Sequence, residues 1–331
     1  MRVLIAGGQG FVGLNIAEQL LKRGDTVALF GPDSAPLAFK TALSALPGEL
    51  ITMEGDVSKR DDLEHAFGGF KPDRVVNAAA ITAGLDREKS AARRIFEVNL
   101  LGTVEVLEAC LRHQLPRMVQ LSTGSVFGQH GRQSEWLDED SSSAMPESLY
   151  GISKFAAERT CVRYANKRGL SVTTLRLGTV FGRWEYETGV RDTLSIPLQL
   201  IKAAYTDEIA ILLRNCADDW IYSTDVAKGV IGALDIGVNP RPLYHLSAGR
   251  RWDIANWCSM MSSTFPEFTY ELVDEPTRCT IGRTSSPNRS PMKIEGIQSD
   301  FGYQPDFLHE AAFIDFTRWA EIYLRHHLMI L

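Results

Sequence analysis

The stretch Arg2-Val3-Leu4-Ile5-Ala6-Gly7-Gly8-Gln9-Gly10-Phe11-Val12-Gly13 decides how the rest of the chain is read. A short apolar run breaks into glycines at 7, 10 and 13, and Asn15-Ile16-Ala17-Glu18-Gln19-Leu20-Leu21 follows with helical spacing, ended by Gly24. Strand, glycine turn and helix in that order turn a glycine motif into a dinucleotide-binding signal. The glycines bring the backbone, with Phe11 and Val12, close to a pyrophosphate, whose charge is met by the helix N-terminus.

Outward from this turn, the pattern repeats. Thr26 to Phe30 reads as a second strand, with Gly31 at its end and Asp33 two residues on. An acid about 20 residues past the last motif glycine is expected to bond the adenosine ribose, and no Arg lies near to hold a 2′-phosphate, so Asp33 favours NAD without excluding NADP. Residues 34 to 48 are expected to be helical. A third strand, Leu50 to Met53, closes on Gly55-Asp56-Val57, where Asp56 could bond the adenine amine, cap a helix at Arg60 to Phe67, or do both. A strand at Asp73 to Val76 ends in Asn77-Ala78-Ala79-Ala80, whose small side chains let a cofactor lie close to the backbone. Asn99 sits inside a long apolar helical stretch, Ala91 to His113, and needs a hydrogen-bonding reason to be there. A fifth strand, Arg117 to Leu121, delivers Ser122-Thr123 at its carboxyl end, where parallel sheets bind ligands. If Tyr150-Gly151-Ile152-Ser153-Lys154 opens a helix, the phenol and the ammonium stand one turn apart on one face. A neighbouring cation lowers a phenol's pKa and suits it to take or return a proton.

Bulk properties exclude several functions. The 331 residues suit one large or two unequal domains, and 44% hydrophobic with 23% charged residues is ordinary for a globular protein. The net charge of −6, without a basic run, gives no footprint for nucleic acid. Cys110, Cys161, Cys216, Cys258 and Cys279 are odd in number and lack CxxC spacing, which argues against a disulfide framework and a zinc site. His326-His327 reads as surface, and no metal is expected. No apolar run is long enough to span a bilayer and none at the N-terminus suits a signal peptide, so a cytoplasmic protein without a membrane partner is expected.

Taken together these motifs resemble an extended short-chain dehydrogenase/reductase, the NAD(P)-dependent epimerase/dehydratase type. The resemblance rests on the glycine turn, Gly55-Asp56-Val57, Asn77 to Ala80, Asn99-x-x-Gly102-Thr103, Ser122 to Gly128, Tyr150-x-x-x-Lys154, Leu175 to Gly182 and Asp219 to Ala227, over about three quarters of the chain. It implies a doubly wound parallel sheet with a smaller C-terminal α/β substrate domain. The sheet domain is expected to hold residues 1–182 and about 216–247; the substrate domain takes about 183–215 and 248–331. It also implies that Tyr150 is the acid/base, that Lys154 lowers its pKa and bonds the nicotinamide ribose, and that Thr123 bonds the reacting oxygen. A homodimer through the helices at 91–113 and 150–168 is implied as well.

Departures from the family pattern narrow the substrate. Dehydratases carry an Asp-Glu pair after the catalytic Thr, and this chain has Gly124-Ser125, which argues against a dehydratase. Nucleotide-sugar enzymes usually place an Arg before the Asp-aromatic-Ile run, where this chain has Asp218; Arg214, Arg283 or Arg289 could substitute. Ser125 and Thr179 are further candidates for touching a small-molecule substrate. Arg191, in the charged and aromatic segment after Gly182, is a candidate for binding a carboxylate, unless it pairs with Asp192, Glu187 or a helix end. The expected function is an NAD(P)-dependent oxidoreductase acting on a secondary hydroxyl of a sugar, sugar acid or small polyol. The alternative is a nucleotide-sugar epimerase with tightly bound NAD. A non-catalytic dinucleotide sensor is a third reading, opposed by the presence of both Tyr150 and Lys154.

Overall fold

The computed structural model describes residues 1–237, 241–282 and 288–324. The chain begins with β1 (Arg2–Ala6), α1 (Phe11–Lys22), β2 (Thr26–Gly31), α2 (Leu37–Leu43), β3 (Glu49–Glu54), α3 (Arg60–Phe70) and β4 (Arg74–Asn77). It continues through α4 (Leu85–Phe96), α5 (Gly102–Arg112), β5 (Met118–Thr123), α6 (Leu149–Arg168) and β6 (Val172–Leu177). After β7 (Thr179–Phe181), α7 (Ile196–Thr206), β8 (Ala210–Leu213), β9 (Ala217–Asp218), β10 (Trp220–Tyr222) and α8 (Ser223–Asp235), the strand β11 (Leu243–Leu246) returns to the main sheet.

That sheet has seven strands in the order β11-β6-β5-β4-β1-β2-β3, all parallel. Its central strands are apolar on both faces because helices cover both. In β1 the alternation of the strand sends Ile5 to the side of α1 and α8, where it joins Leu14, Leu29 and Val230, and sends Leu4 to the side of α3 and α5, with Phe67 and Val106. The doubly wound arrangement brings the carboxyl ends of β1, β4, β5 and β6 to one edge.

The helix expected over Ala91 to His113 is interrupted. A π-helical turn at Glu97–Leu101 separates α4 from α5 and gives Asn99 its reason. Its side chain accepts from Ile81 N at 2.7 Å and donates to Ile81 O at 3.1 Å and to Ser153 Oγ at 3.0 Å. The helix expected over 34–48 is shorter, because Pro36 sets its N-terminus. The final helix runs from His309 to Tyr323; His326 and His327 lie outside the described residues.

The remaining segments pack a helix at Ile254–Thr264, the helix at His309–Tyr323 and α7 around an aromatic cluster. Phe181 is at its centre, edge-on to Trp220, Trp252, Trp257 and Phe316. Trp257 is thus a core residue. All five cysteines are free thiols, four of them buried. Among the described residues no helix is long and apolar enough to cross a membrane, and no group of His, Cys, Asp and Glu is arranged to hold a metal.

Candidate active site

The glycine turn is shaped by its neighbours. Gly7 has φ +73°, and a Cβ there would come within 2.6 Å of the Ala79 backbone, so only glycine lets the turn lie against the end of β4. At Gly10 the space beyond the backbone is open apart from Gly7 O at 3.3 Å, and it faces a cavity along the sheet edge. An open backbone cradle at the N-terminus of α1 fits a dinucleotide pyrophosphate.

Across the cavity, Ser148 caps α6 by accepting from Gly151 N at 3.0 Å, and the next turn carries Tyr150 and Lys154. Lys154 is 2% exposed, and burial lowers its pKa to about 8. The described hydrogen bonds give its ammonium no protein acceptor, which suits an amine awaiting ribose hydroxyls. Behind it Glu158 is fully buried and takes two bonds from Arg176, at 2.9 and 2.6 Å, and one from Ser122 Oγ at 3.2 Å. Burial also raises the pKa of the Tyr150 phenol, opposed by hydrogen bonds from Thr123 and Thr82 and by the fields of Arg191 and Arg289. Thr123 Oγ1 in turn accepts from Ser125 N at 3.1 Å.

The segment from Arg183 to Ser195 crosses the front of this cavity as a strap. On one side Asn15 donates to Arg183 O at 2.7 Å, Trp184 Nε1 donates to Glu18 at 2.6 Å, and Tyr186 Oη donates to Gln9 O at 2.7 Å. On the other side Thr82 N donates to Val190 O at 2.9 Å, and Asp192 accepts from Gly84 N at 2.7 Å and from Arg87 at 2.6 Å. Within the strap the buried Glu185 pairs with Arg191 at 2.8 Å and accepts from Ser195 N at 2.6 Å. The Arg191 guanidinium lies 5.3 Å from the Phe11 ring centroid.

Most residues singled out from sequence therefore meet. Gly7, Gly10, Phe11, Val12, Gly13, Ala78, Thr123, Ser125, Tyr150, Lys154, Thr179, Arg191 and Arg289 all line the one cavity. Ala79, Val57 and Asn99 are buried and do not line the cavity. Asp56 is turned to its own loop, accepting from Ser58 N at 2.9 Å and pairing with Arg94. Asp33 is exposed in the turn after β2, and Gln9 occupies the space next to Gly31, its Oε1 crowding the point where a Cβ would stand. Arg214 is tied to Asp274 at 3.3 Å, and Arg283 lies outside the described residues. Arg191 pairs with neither Asp192 nor Glu187, since Asp192 is taken by Arg87 and Glu187 by Lys202. Sequence reasoning missed Thr82, four residues beyond the small-residue tail's first alanine, and Glu185, which lay unexplained inside the charged segment.

The model of the family described as "NAD dependent epimerase/dehydratase family" matches residues 3–246. UDP-glucuronate 4-epimerase 3 of Arabidopsis thaliana is 31% identical over 334 residues, covering 96% of this chain and 76% of the relative. UDP-glucuronate 4-epimerase 2 of the same plant is 26% identical over 337 residues, covering 96% and 75%. Among solved structures, the UDP-glucose 4-epimerase of Thermus thermophilus in complex with NAD superposes with a TM-score of 0.80 at 23% identity, over 98% of this chain and 100% of that one, a likeness of fold. With the family's match spanning both the glycine turn and the Tyr150–Lys154 helix, the chain belongs to the NAD dependent epimerase/dehydratase family of extended short-chain dehydrogenase/reductase enzymes.

Proposed function

We propose that this protein is an epimerase of a nucleotide-linked sugar that keeps NAD bound throughout turnover. The observation that carries the reading is the strap, pinned on both sides of the cleft in which the dinucleotide would lie. A segment tied down on both sides would keep a dinucleotide in the cleft between the two half-reactions of an epimerisation. The resemblance to UDP-glucuronate 4-epimerases points the same way and reverses the preference for a dehydrogenase expected from sequence.

NAD supplies a hydride acceptor and donor when bound. Gly7, Gly10 and Gly13 would hold its pyrophosphate, and Lys154 its nicotinamide ribose. Tyr150 takes the proton of the substrate hydroxyl as the carbon is oxidised and returns one when the carbonyl is reduced on its other face. Thr123 and Thr82 line the cavity with Tyr150 and oppose the rise in its pKa, which favours proton transfer by the phenol. Gly124-Ser125 offers no carboxylic acid for an elimination. Residues from about 183 to 215 and from 248 onward form the substrate side of the cleft in this reading. The exposed Leu101 and Ile152, on the helical faces expected to pair, support a homodimer.

The dehydrogenase reading keeps one observation in its favour: Asp218 lines the cavity where a diphosphate-binding Arg is usual. The two readings separate in one experiment. Protein purified without added cofactor is expected to release about one NAD per chain on denaturation, and to convert UDP-glucuronate or UDP-glucose to its epimer with no rise in NADH absorbance. Tyr150→Phe is expected to keep the NAD and lose turnover by about a thousandfold. Steady NADH production from a free sugar acid with added NAD would establish the dehydrogenase instead.

A further inference from the structure

We propose that Arg289 is a specificity-determining residue that binds a carboxylate on the sugar ring undergoing reaction, from the side-chain space left empty at Gly124. The assignment rests on the proposed function for which end of the cavity holds the reacting ring.

Position 124 lies between Thr123 and Ser125, which line the same cavity as Tyr150. Any group in the side-chain space of residue 124 therefore flanks the reacting carbon. That space is taken by a guanidinium from far along the chain: a Cβ on Gly124 would meet Arg289 Cζ at 2.9 Å, Nε at 3.0 Å and Nη1 at 3.1 Å. Where a dehydratase places an acid, this chain places a cation.

The seat of Arg289 is built. Its backbone N donates to Asp218 at 3.0 Å, and two neighbours are tied as firmly, Ser290 N to Gly131 O at 2.8 Å and Met292 N to the buried Asp219 at 3.1 Å. Asn288 holds the same turn to Ala217 N at 3.2 Å and Asn215 O at 3.2 Å. One corner of the guanidinium is fixed, Nη2 donating to Thr179 Oγ1 at 2.7 Å. Nε is buried and has no acceptor in the protein. A buried donor left unpaired is costly, and a ligand oxygen between this group and the phenol would satisfy it. The planar fork of an arginine suits a carboxylate better than a hydroxyl. A diphosphate fits less well, because the guanidinium stands at the Thr123 end of the cavity rather than a sugar's width away.

The test uses NAD-loaded Tyr150→Phe protein, which binds without turning over, and measures affinity for UDP-glucuronate, UDP-glucose and UDP by calorimetry. The background protein is expected to favour the uronate over the neutral sugar. Adding Arg289→Gln is expected to cut that preference about a hundredfold, and Arg289→Lys to restore part of it. Gly124→Ala, which displaces the guanidinium while leaving its charge in the protein, is expected to erode the preference as well. Equal losses for all three ligands in Arg289→Gln would make Arg289 a diphosphate ligand and overturn the assignment, as would an unchanged preference. Failure of the epimerase reading looks different: neither nucleotide sugar then binds or is converted. In that case NADH production by wild-type protein from free glucuronate against free glucose still decides the matter. An acid preference lost in Arg289→Gln supports the carboxylate seat, and equal use of both sugars overturns it.

Discussion

The wall that carries Tyr150 and the strap that faces it are held together by different physics. Behind the wall, β5 and β6 are buried at every residue, and apolar side chains from both faces of the sheet fill the core. The strap adds one buried apolar side chain, Trp184, and three partly buried ones, Tyr186, Val190 and Leu194, far fewer than the wall. It is held by hydrogen bonds to backbone carbonyls, by the half-exposed pair Arg87–Asp192, and by the buried pair Glu185–Arg191. Hydrophobic packing is cooperative across a domain, whereas a segment held by a few polar contacts can open by itself. The wall should therefore govern whether the protein is folded, and the strap how long it keeps its cofactor.

Three substitutions test that division. Leu175→Ala empties a fully buried position in β6 and is expected to lower global stability by about 4 kcal/mol, read as a lower denaturant midpoint, with NAD still retained through gel filtration. If NAD is lost in proportion to stability, the two regions are not separate. Glu185→Ala leaves Arg191 without its carboxylate and Ser195 N without its acceptor. Breaking a buried pair of this kind costs about 3 kcal/mol; it should appear mainly as NAD release about a hundredfold faster, with a smaller shift in the unfolding midpoint. Tyr186→Phe removes a single bond to Gln9 O, worth about 1 kcal/mol. Its expected effect is a several-fold faster NAD release and no measurable change in unfolding; an unaltered release rate would mean that this end of the strap does not hold the cofactor.

The same division explains what could be read from sequence. The wall was legible because its determinants are local: a four-residue apolar run before a glycine turn, or Tyr150 and Lys154 one helical turn apart. The π-turn around Asn99 was half legible, since a buried Asn demanded partners but nothing in the sequence named Ile81 and Ser153. The strap was not legible beyond its charge and aromatic content. Its contacts pair Tyr186 with Gln9 and Arg191 with Glu185, and which acid an arginine takes depends on which others are already engaged. Asp33 marks the limit of a spacing argument. It lies at the right distance in sequence, yet the Gly31-Pro32 turn leaves it exposed, and Gln9 fills the ground beside Gly31. Arg289 was named among several arginines, but its seat against Gly124 depends on a fold that brings together residues 165 positions apart.

The position of β11 at the sheet's edge has a consequence for the order in which the molecule is made. Tyr244 and His245 pair with Leu175 and Arg176 in β6, so residues 178–242, strap included, form a loop whose two ends are fixed in one sheet. A chain emerging from the ribosome N-terminus first can assemble six strands, the glycine turn and the Tyr150 helix while that loop still has only one anchored end. Docking of Leu243–Leu246 beside β6 then anchors the second end of the loop that carries the strap.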